Sequence, residues 1–283
     1  MNALLGGIGA ALSWAAATLA ASRAARMVGA FSAAAWALSI GLLIALPVVV
    51  ANGVPASLDA KSASWLVVSG AGNVAGLALI YSALRLSRAG LVSAIVATEG
   101  ALAALISVGF GERLGADLSL AISVVAVGAT ITSLPNERAE TAGDGERRGL
   151  ALAACAALIF SISLYATGRV SALPPMWVVL PARLIGALAL AIPLALAGRL
   201  RLTRRAAPLL LLAGVAEVLG FLSFTLGSRD SIAVAAVASS QGTVFVGIGA
   251  YLLFRERLTR RQIIGIAVTL AGVALTGLVT ASR

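Results

Sequence analysis

Long apolar runs separated by short charged breaks follow one another along the whole chain. A helix needs about 20 apolar residues to cross a bilayer, and ten runs approach that length when the chain is divided at charged or Pro/Gly/Asn-containing breaks. The predicted spans are residues 3–22, 31–51, 64–84, 91–111, 118–134, 149–168, 177–197, 208–227, 233–253 and 262–281. The pattern therefore predicts an all-α integral membrane protein with ten transmembrane helices, numbered 1 to 10 along the chain.

The longest polar break lies at the middle of the chain. It reads PNERAETAGDGERRG at residues 135–149 and carries seven charged side chains. This segment interrupts both helical and strand patterns, which is typical of a linker. The predicted organisation is a first five-helix repeat at residues 1–134, a polar linker at 135–148 and a second five-helix repeat at 149–283.

The two halves repeat each other in sequence. The pentapeptide FGERL at 110–114 returns as FRERL at 254–258, an offset of 144 residues that extends without a gap. Further matched pairs are Gly70 with Gly214 and Arg85 with Arg229, and, at an offset of 146, Arg23 with Arg169 and Pro47 with Pro193. Because each half has an odd number of spans, the second copy enters the membrane from the opposite face. Such an inverted-topology repeat is typical of secondary transporters.

The repeated pentapeptides each end the fourth helix of their half. Their charged side chains favour a role as interfacial anchors of helix ends rather than a role in chemistry. Their main value is that they fix the register between the two copies.

Composition agrees with a lipid environment and excludes several classes of function. Hydrophobic residues make up 60% of the chain and charged residues 11%, against about 25% charged in a soluble domain. The absence of histidine excludes histidine metal sites and Ser-His-Asp catalysis. Every aspartate is predicted in a loop, which excludes an intramembrane aspartyl protease, and the sequence has no G-x-x-x-x-G-K phosphate-binding motif. We expect neither an enzyme nor a bound cofactor or metal.

The net charge of +10 comes mainly from arginines in the short loops between spans, which indicates membrane topology rather than nucleic-acid binding. Of the 21 basic residues, fifteen lie on one face, five lie on the face that carries both termini, and Arg183 lies within a span. The positive-inside rule places the richer face in the cytoplasm. Both termini are therefore predicted on the outer face.

Three ionisable residues lie inside predicted spans, where such groups are costly and mark candidate functional sites. Glu217 lies at the centre of helix 8, and the 144-residue offset pairs it with Asn73 in helix 3. Both are predicted to line a midplane cavity, with a structural hydrogen bond as the alternative. Glu99 either binds an ammonium group or a proton, or joins two helices as the neutral acid. Arg183 either reaches the interface, pairs with Glu99 or Glu217, or holds a substrate carboxylate.

Two further groups of side chains are candidates for the cavity. The segment VASSQGTVF of helix 9 places Ser239, Ser240 and Gln241 beside a glycine at mid-depth. These polar groups either face a substrate or join helices by hydrogen bonds. Four aromatic residues lie deep in their spans and either form an apolar wall for a substrate or pack between helices: Trp14, Tyr81, Phe160 and Tyr165.

With its ten helices, its five-plus-five inverted repeat and its GERL and RERL blocks, the sequence resembles the drug/metabolite transporter superfamily, in the ten-helix EamA-type branch. Within that branch it is similar to bacterial amino-acid exporters, including the aromatic amino-acid exporter. The resemblance implies that helices 1, 3, 4, 6, 8 and 9 line a central cavity, with helices 5 and 10 outside it. It also implies a multi-pass protein of the bacterial inner membrane. Such a protein exports amino acids or similar small amphipathic metabolites by alternating access, in secondary-active or facilitative transport.

A multidrug or organic-cation exporter on the same fold is the alternative. A zwitterionic substrate needs a partner for its carboxylate as well as for its ammonium group, so the position of Arg183 distinguishes the two. The expected partners are a small-molecule substrate, amino acids in the leading interpretation, and the lipid bilayer, with no nucleic acid. The sequence leaves a homodimer open.

Overall fold

The computed structural model describes residues 2–86, 92, 95–133, 144–242, 244–246 and 260–281, and it contains only helices and connecting turns there. The helices are α1 Asn2–Val28, α2 Ala30–Asn52, α3 Ala60–Leu86, α4 Glu99–Gly109, α5 Ala116–Ser133, α6 Asp144–Arg169, α7 Pro175–Leu196, α8 Ala207–Gly227, α9 Ile232–Ser239 and α10 Arg260–Ala281.

Within these described residues, six helices are long and apolar enough to cross a membrane, namely α1, α2, α3, α6, α7 and α8. The predicted class of an all-helical, multi-pass membrane protein is confirmed, and the count of ten spans stays a prediction. The second copy of the charged pentapeptide, FRERL at 254–258, lies outside the described residues.

A single glycine separates α1 from α2. The sequence predicts that helix 1 ends near residue 22, but α1 continues through Arg23 and Arg26 to Val28. Arginine is a good helix former, so the charged residues that end the apolar run do not end the helix. Gly29 then turns the chain with a φ of 89°, which a residue with a Cβ adopts only with strain.

The first helix of the second half also begins earlier than the sequence predicts. Helix α6 starts at Asp144, so residues 144–148 of the predicted linker are helical. Asp144 and Glu146 lie in the first turn, where carboxylates interact favourably with the helix dipole. Residues 135–143 of the linker lie outside the described part of the chain.

The two matched prolines are accommodated differently. Helix α2 stays α-helical through Pro47, whereas in α7 a π-helical turn at Ala187–Ala191 comes just before Pro193. A proline ring clashes with the carbonyl four residues earlier, here that of Ala189, which lies within the π turn. The wider turn relieves that clash, and it lies on the same helix as Arg183.

The main helix contacts join the two halves of the chain. Helix α1 packs on α8 and α3 packs on α6, which are pairs that the sequence repeat exchanges with each other. Helix α2 packs on α7, α4 on α9, and α5 on α10. Glycines allow the closest approaches: a Cβ at Gly6 of α1 would lie 2.5 Å from the Cα of Gly227 at the end of α8.

Helices α3 and α6 are also joined by hydroxyl groups. Ser69 and Thr167 share a hydrogen bond of 2.6 Å, and Ser163 donates to the carbonyl of Ser69 at 2.7 Å. Each hydroxyl is thereby satisfied in a buried setting, where an unpaired polar group is unfavourable. These three residues therefore act as polar contacts between helices.

Helices α2 and α7 run antiparallel and are hydrogen-bonded at both ends. At one end, the indole N–H of Trp177 donates to the carbonyl of Gly53 at 3.1 Å. At the other end, the indole N–H of Trp36 donates to the carbonyl of Arg201 at 3.1 Å, and Ser32 Oγ donates to the carbonyl of Arg199 at 3.2 Å. Hydrogen bonds therefore join α2 and α7 at both faces of the bundle in the same structure.

Candidate functional site

An ion pair connects α7 and α8 in the middle of the bundle. Arg183 Nη2 donates to Glu217 Oε2 at 3.2 Å. The guanidinium carbon lies 4.9 Å from the ring centroid of Phe221, a cation–π distance. The side chain reaches this position over Gly41 of α2, since a Cβ there would lie 2.7 Å from Arg183 Cδ. Arg183 is therefore placed by three helices.

The ion pair leaves polar groups available on both partners. Arg183 is fully buried, and its Nε and Nη1 atoms have no hydrogen-bond partner among the described residues. The side chain of Glu217, in contrast, is 31% exposed. A guanidinium with unused N–H groups in an apolar setting strongly favours a carboxylate or phosphate. The pairing alternative for Arg183 is the one that the structure adopts.

Aromatic rings from α1 and α8 lie beside this ion pair. The indole of Trp14 packs on Gly220, where a Cβ would lie 2.5 Å from the indole Cδ1. Its ring meets Phe221 edge-on at 5.6 Å and lies 6.1 Å from Phe224. Trp14 and the buried Phe221 therefore form an apolar cluster beside the guanidinium of Arg183.

Helices α4 and α9 cross beside a second group of polar residues. At this crossing, a short turn interrupts the helical run of each. Ala97 and Thr98 form a turn just before α4, and Ser240 and Gln241 form a turn just after α9. The 144-residue offset maps Ala97 onto Gln241, so the two interruptions overlap at one position of the repeat. A Cβ at Gly100 would lie 2.5 Å from the carbonyl oxygen of Ala236. Interrupted helices frame the sites of many transporters.

Most polar side chains in the patch of helix 9 form hydrogen bonds with carbonyl groups of their own helix. Ser239 Oγ donates to the carbonyl of Ala236 at 2.9 Å, and Ser240 Oγ donates to that of Val237 at 2.8 Å. The amide of Gln241 donates to the same Val237 carbonyl at 2.9 Å. Its Oε1 atom is buried and has no partner among the described residues. Gln241 is thus the member of the patch with an unused acceptor.

Glu99 opens α4 at this crossing and is half-buried. In the described part of the chain, no hydrogen bond or ion pair to its carboxylate is present, so the predicted pairing of Arg183 goes to Glu217 instead. Asn73 is half-buried in α3, and Phe160 packs from α6 on Gly76, where a Cβ would lie 2.8 Å from the ring. The side chain of Tyr81 lies outside the described residues.

Tyr165 belongs to a different cluster. Its ring stacks on Phe110, at the end of α4, with centroids 5.2 Å apart, and meets Trp65 edge-on at 5.7 Å. The cluster lies near the ends of these helices, on the face of the bundle that contains Gly53 and Trp177. The structure therefore does not bring Tyr165 to the Arg183–Glu217 pair.

A comparison with protein families shows to which family the chain belongs. The model of the EamA-like transporter family matches residues 1–134 and 147–278, which is nearly the whole chain. The chain belongs to the EamA-like transporter family. The resemblance seen in the sequence is thereby confirmed, and the family is one of membrane transporters rather than enzymes.

A solved crystal structure shares the EamA-like fold of this chain. The two superpose with a TM-score of 0.79 at 20% sequence identity, covering 98% of this chain and 96% of the other. At that identity the likeness concerns the fold alone. A comparison with curated proteins finds no match.

One polar residue of this EamA-like transporter makes contacts that the sequence did not predict. The sequence assigns Glu112 of FGERL only the predicted role of anchoring a helix end. Its carboxylate accepts hydrogen bonds from Ser107, Ser231 and the backbone N–H of Ala233. Serine favours the N-cap of a helix, so the sequence alone indicates Ser231 as a candidate N-cap. It does not indicate the contact with Glu112, because 119 residues separate the two.

Proposed function

We propose that the protein moves small amphipathic solutes carrying both a carboxylate and an ammonium group, amino acids above all, by alternating access between its two halves. The observation that carries this proposal is the ion pair of Arg183 and Glu217 within the spans. Ionisable residues inside membrane helices are unfavourable unless they serve binding, transport or a specific pair. Transport is secondary-active or facilitative, because the sequence has no nucleotide-binding motif.

Two features support a five-plus-five inverted repeat with ten spans. The helix pairs α1–α8 and α3–α6 exchange under the repeat, as expected for a pseudo-two-fold axis in the membrane plane. The interruptions at Thr98 and Gln241 lie at nearly matched positions of the two copies. Under this arrangement, one half rocks against the other around the polar groups between them.

The chemistry of the site favours a zwitterion over a simple cation. Arg183 has unused N–H groups for a carboxylate, and the partly exposed Glu217 attracts an ammonium group. A substrate carboxylate would compete with Glu217 for Arg183, so binding would loosen the α7–α8 contact. The half-buried ring of Trp14, packed on Phe221, provides an apolar contact for a substrate side chain.

An organic-cation exporter is the second candidate. The half-buried carboxylate of Glu99, which has no partner within the described residues, favours it. A cation-selective protein would need carboxylates and aromatic rings but no free donor groups. The unused Nε and Nη1 atoms of Arg183 would then have no role.

The test is a flux measurement on the purified protein in proteoliposomes. We expect saturable, counterflow-stimulated uptake of labelled amino acids, with and without a pH gradient, and much weaker uptake of a lipophilic organic cation such as tetraphenylphosphonium. Protein-free liposomes are the control. Uptake of the cation without any amino-acid flux would replace the leading candidate by the second, and absence of both fluxes would contradict the proposal.

We also propose that the protein resides in a bacterial inner membrane, exports its substrate and has both termini on the outer face. The distribution of arginines supports the orientation, with fifteen basic residues predicted on the face opposite the termini. We expect an epitope tag after Arg283 to be accessible to antibody on intact spheroplasts. A tag inserted beside Arg204, on the other face, should become accessible only after permeabilisation; the reverse pattern would invert the topology.

A further inference from the structure

The start of α9 is capped by a carboxylate from the other half of the chain. Glu112, in the connection between α4 and α5, accepts a hydrogen bond from the Ser231 hydroxyl and one from the Ala233 N–H, at 3.1 Å to Oε2. Ser231 also caps its own helix by accepting from the Val234 N–H at 3.1 Å. An anion is stabilised at a helix N-terminus by unpaired N–H groups and by the helix dipole. The contact therefore joins the halves by charge-assisted bonds.

Further hydrogen bonds close the same end of the bundle. Arg229, in the connection between α8 and α9, donates from Nε to the carbonyl of Ser171 at 2.7 Å and from Nη2 to that of Leu173 at 3.3 Å. Those bonds lie within the second half. The bond from Trp177 to Gly53 crosses between the halves, as the Glu112 contact does. These two contacts lie at this end in addition to the hydrogen bonds that Ser69 makes with Ser163 and Thr167 between α3 and α6.

The Glu112 contact and the Trp177–Gly53 contact differ in whether they can open and close. Helices α2 and α7 are hydrogen-bonded at both of their ends in a single structure, through Trp177 and through Trp36. A contact that exists on both faces at once does not alternate between faces. The Glu112 contact involves α4 and α9, the two interrupted helices that cross at Gly100.

We propose that the Glu112 carboxylate is the latch that closes this end of the bundle, while α2 and α7 form a fixed support. The proposal rests on the alternating access proposed above. In the closed state, Glu112 holds the first turn of α9 through Ser231 and Ala233. In the open state, entering water solvates both the carboxylate and the freed N–H groups, so the two states remain close in free energy.

The test measures the opening of this end without any substrate. The native Cys155 is exposed, so Cys155→Ala serves as the background of the full-length protein in nanodiscs. Spin labels on Ala116→Cys and Asp230→Cys, both exposed and on either side of the latch, report the distance between the halves by pulsed electron paramagnetic resonance. We expect Glu112→Gln, which keeps the shape and removes the charge, to raise the ratio of long to short distances roughly tenfold.

The matched control is Trp177→Phe, which removes a different cross-half hydrogen bond at the same end and should leave the distance distribution unchanged. An unchanged distribution in Glu112→Gln overturns the latch, as does an equal shift in Trp177→Phe. If Glu112→Gln does not elute as a monodisperse protein, Ser107→Ala takes its place. It removes one donor to the carboxylate, leaves α9 intact and should raise the ratio about threefold.

This readout separates the latch from the proposed substrate. A shifted distribution without amino-acid flux supports the latch and contradicts the proposed substrate. Flux with an unchanged distribution supports transport and contradicts the latch.

Discussion

Arg183→Met is expected to destabilise the folded protein and to abolish transport. The methionine fills the space beside Gly41, but it leaves the Glu217 carboxylate without its partner. Breaking a buried ion pair costs about 3–5 kcal/mol, and the 31% exposure of Glu217 lowers that figure to about 2–3 kcal/mol because water screens the remaining charge. The melting temperature in detergent should fall by about 4–12 °C.

The double substitution Arg183→Met with Glu217→Leu separates stability from function. Replacing both partners of a buried pair by apolar residues is often neutral or stabilising, so the double variant should melt within about 3 °C of the parent. Its amino-acid flux should remain absent. Arg169→Met, at an exposed position near the end of α6, is the control and should change neither quantity. Normal flux in the double variant would show that the Arg183–Glu217 ion pair has only a structural role.

Gly6→Val should disrupt the contact between α1 and α8. A Cβ at Gly6 would lie 2.5 Å from the Cα of Gly227 and 2.6 Å from the carbonyl oxygen of Ser223. Those are backbone atoms, which cannot turn aside as a flexible side chain does. Overpacking of this kind destabilises by about 1–3 kcal/mol or more, and we expect aggregated protein and low yield in detergent.

Fluorescence-detected gel filtration measures this effect. Gly6→Ala should show an intermediate loss of monodisperse protein, because its single methyl group forces a smaller separation of the helices. Gly145→Ala, where a Cβ would meet nothing within 4 Å, is the matched control and should elute as the parent does. A Gly6→Val variant of normal stability would show that α1 and α8 do not pack as closely as described.

The sequence predicted the six helices that are long and apolar enough to cross a membrane because their signal is local. A run of apolar residues of membrane length is visible without knowledge of its neighbours. The boundaries that failed are those set by helix propensity and capping rather than by the membrane: α1 continues past Arg23, and α6 starts at Asp144.

Contacts between distant helices were less predictable. The sequence marked Arg183 and Glu217 as unusual but left the pairing open, since only packing decides which helices become neighbours. The interruption before Glu99 has no proline or glycine at Ala97–Thr98, so local rules gave no signal. Glu112 was recognised as part of a repeated motif, whereas its contact with Ser231 depends on the fold.

The packing of each half on the other also has a consequence for biosynthesis. The ribosome delivers α1 and α3 before their main partners, α8 and α6, have been made. Membrane helices insert individually and associate afterwards, so the first half waits in the bilayer as inserted helices without a closed bundle. Arg183 is synthesised 34 residues ahead of Glu217, so during that interval of translation its charge lacks the carboxylate that pairs with it in the folded protein.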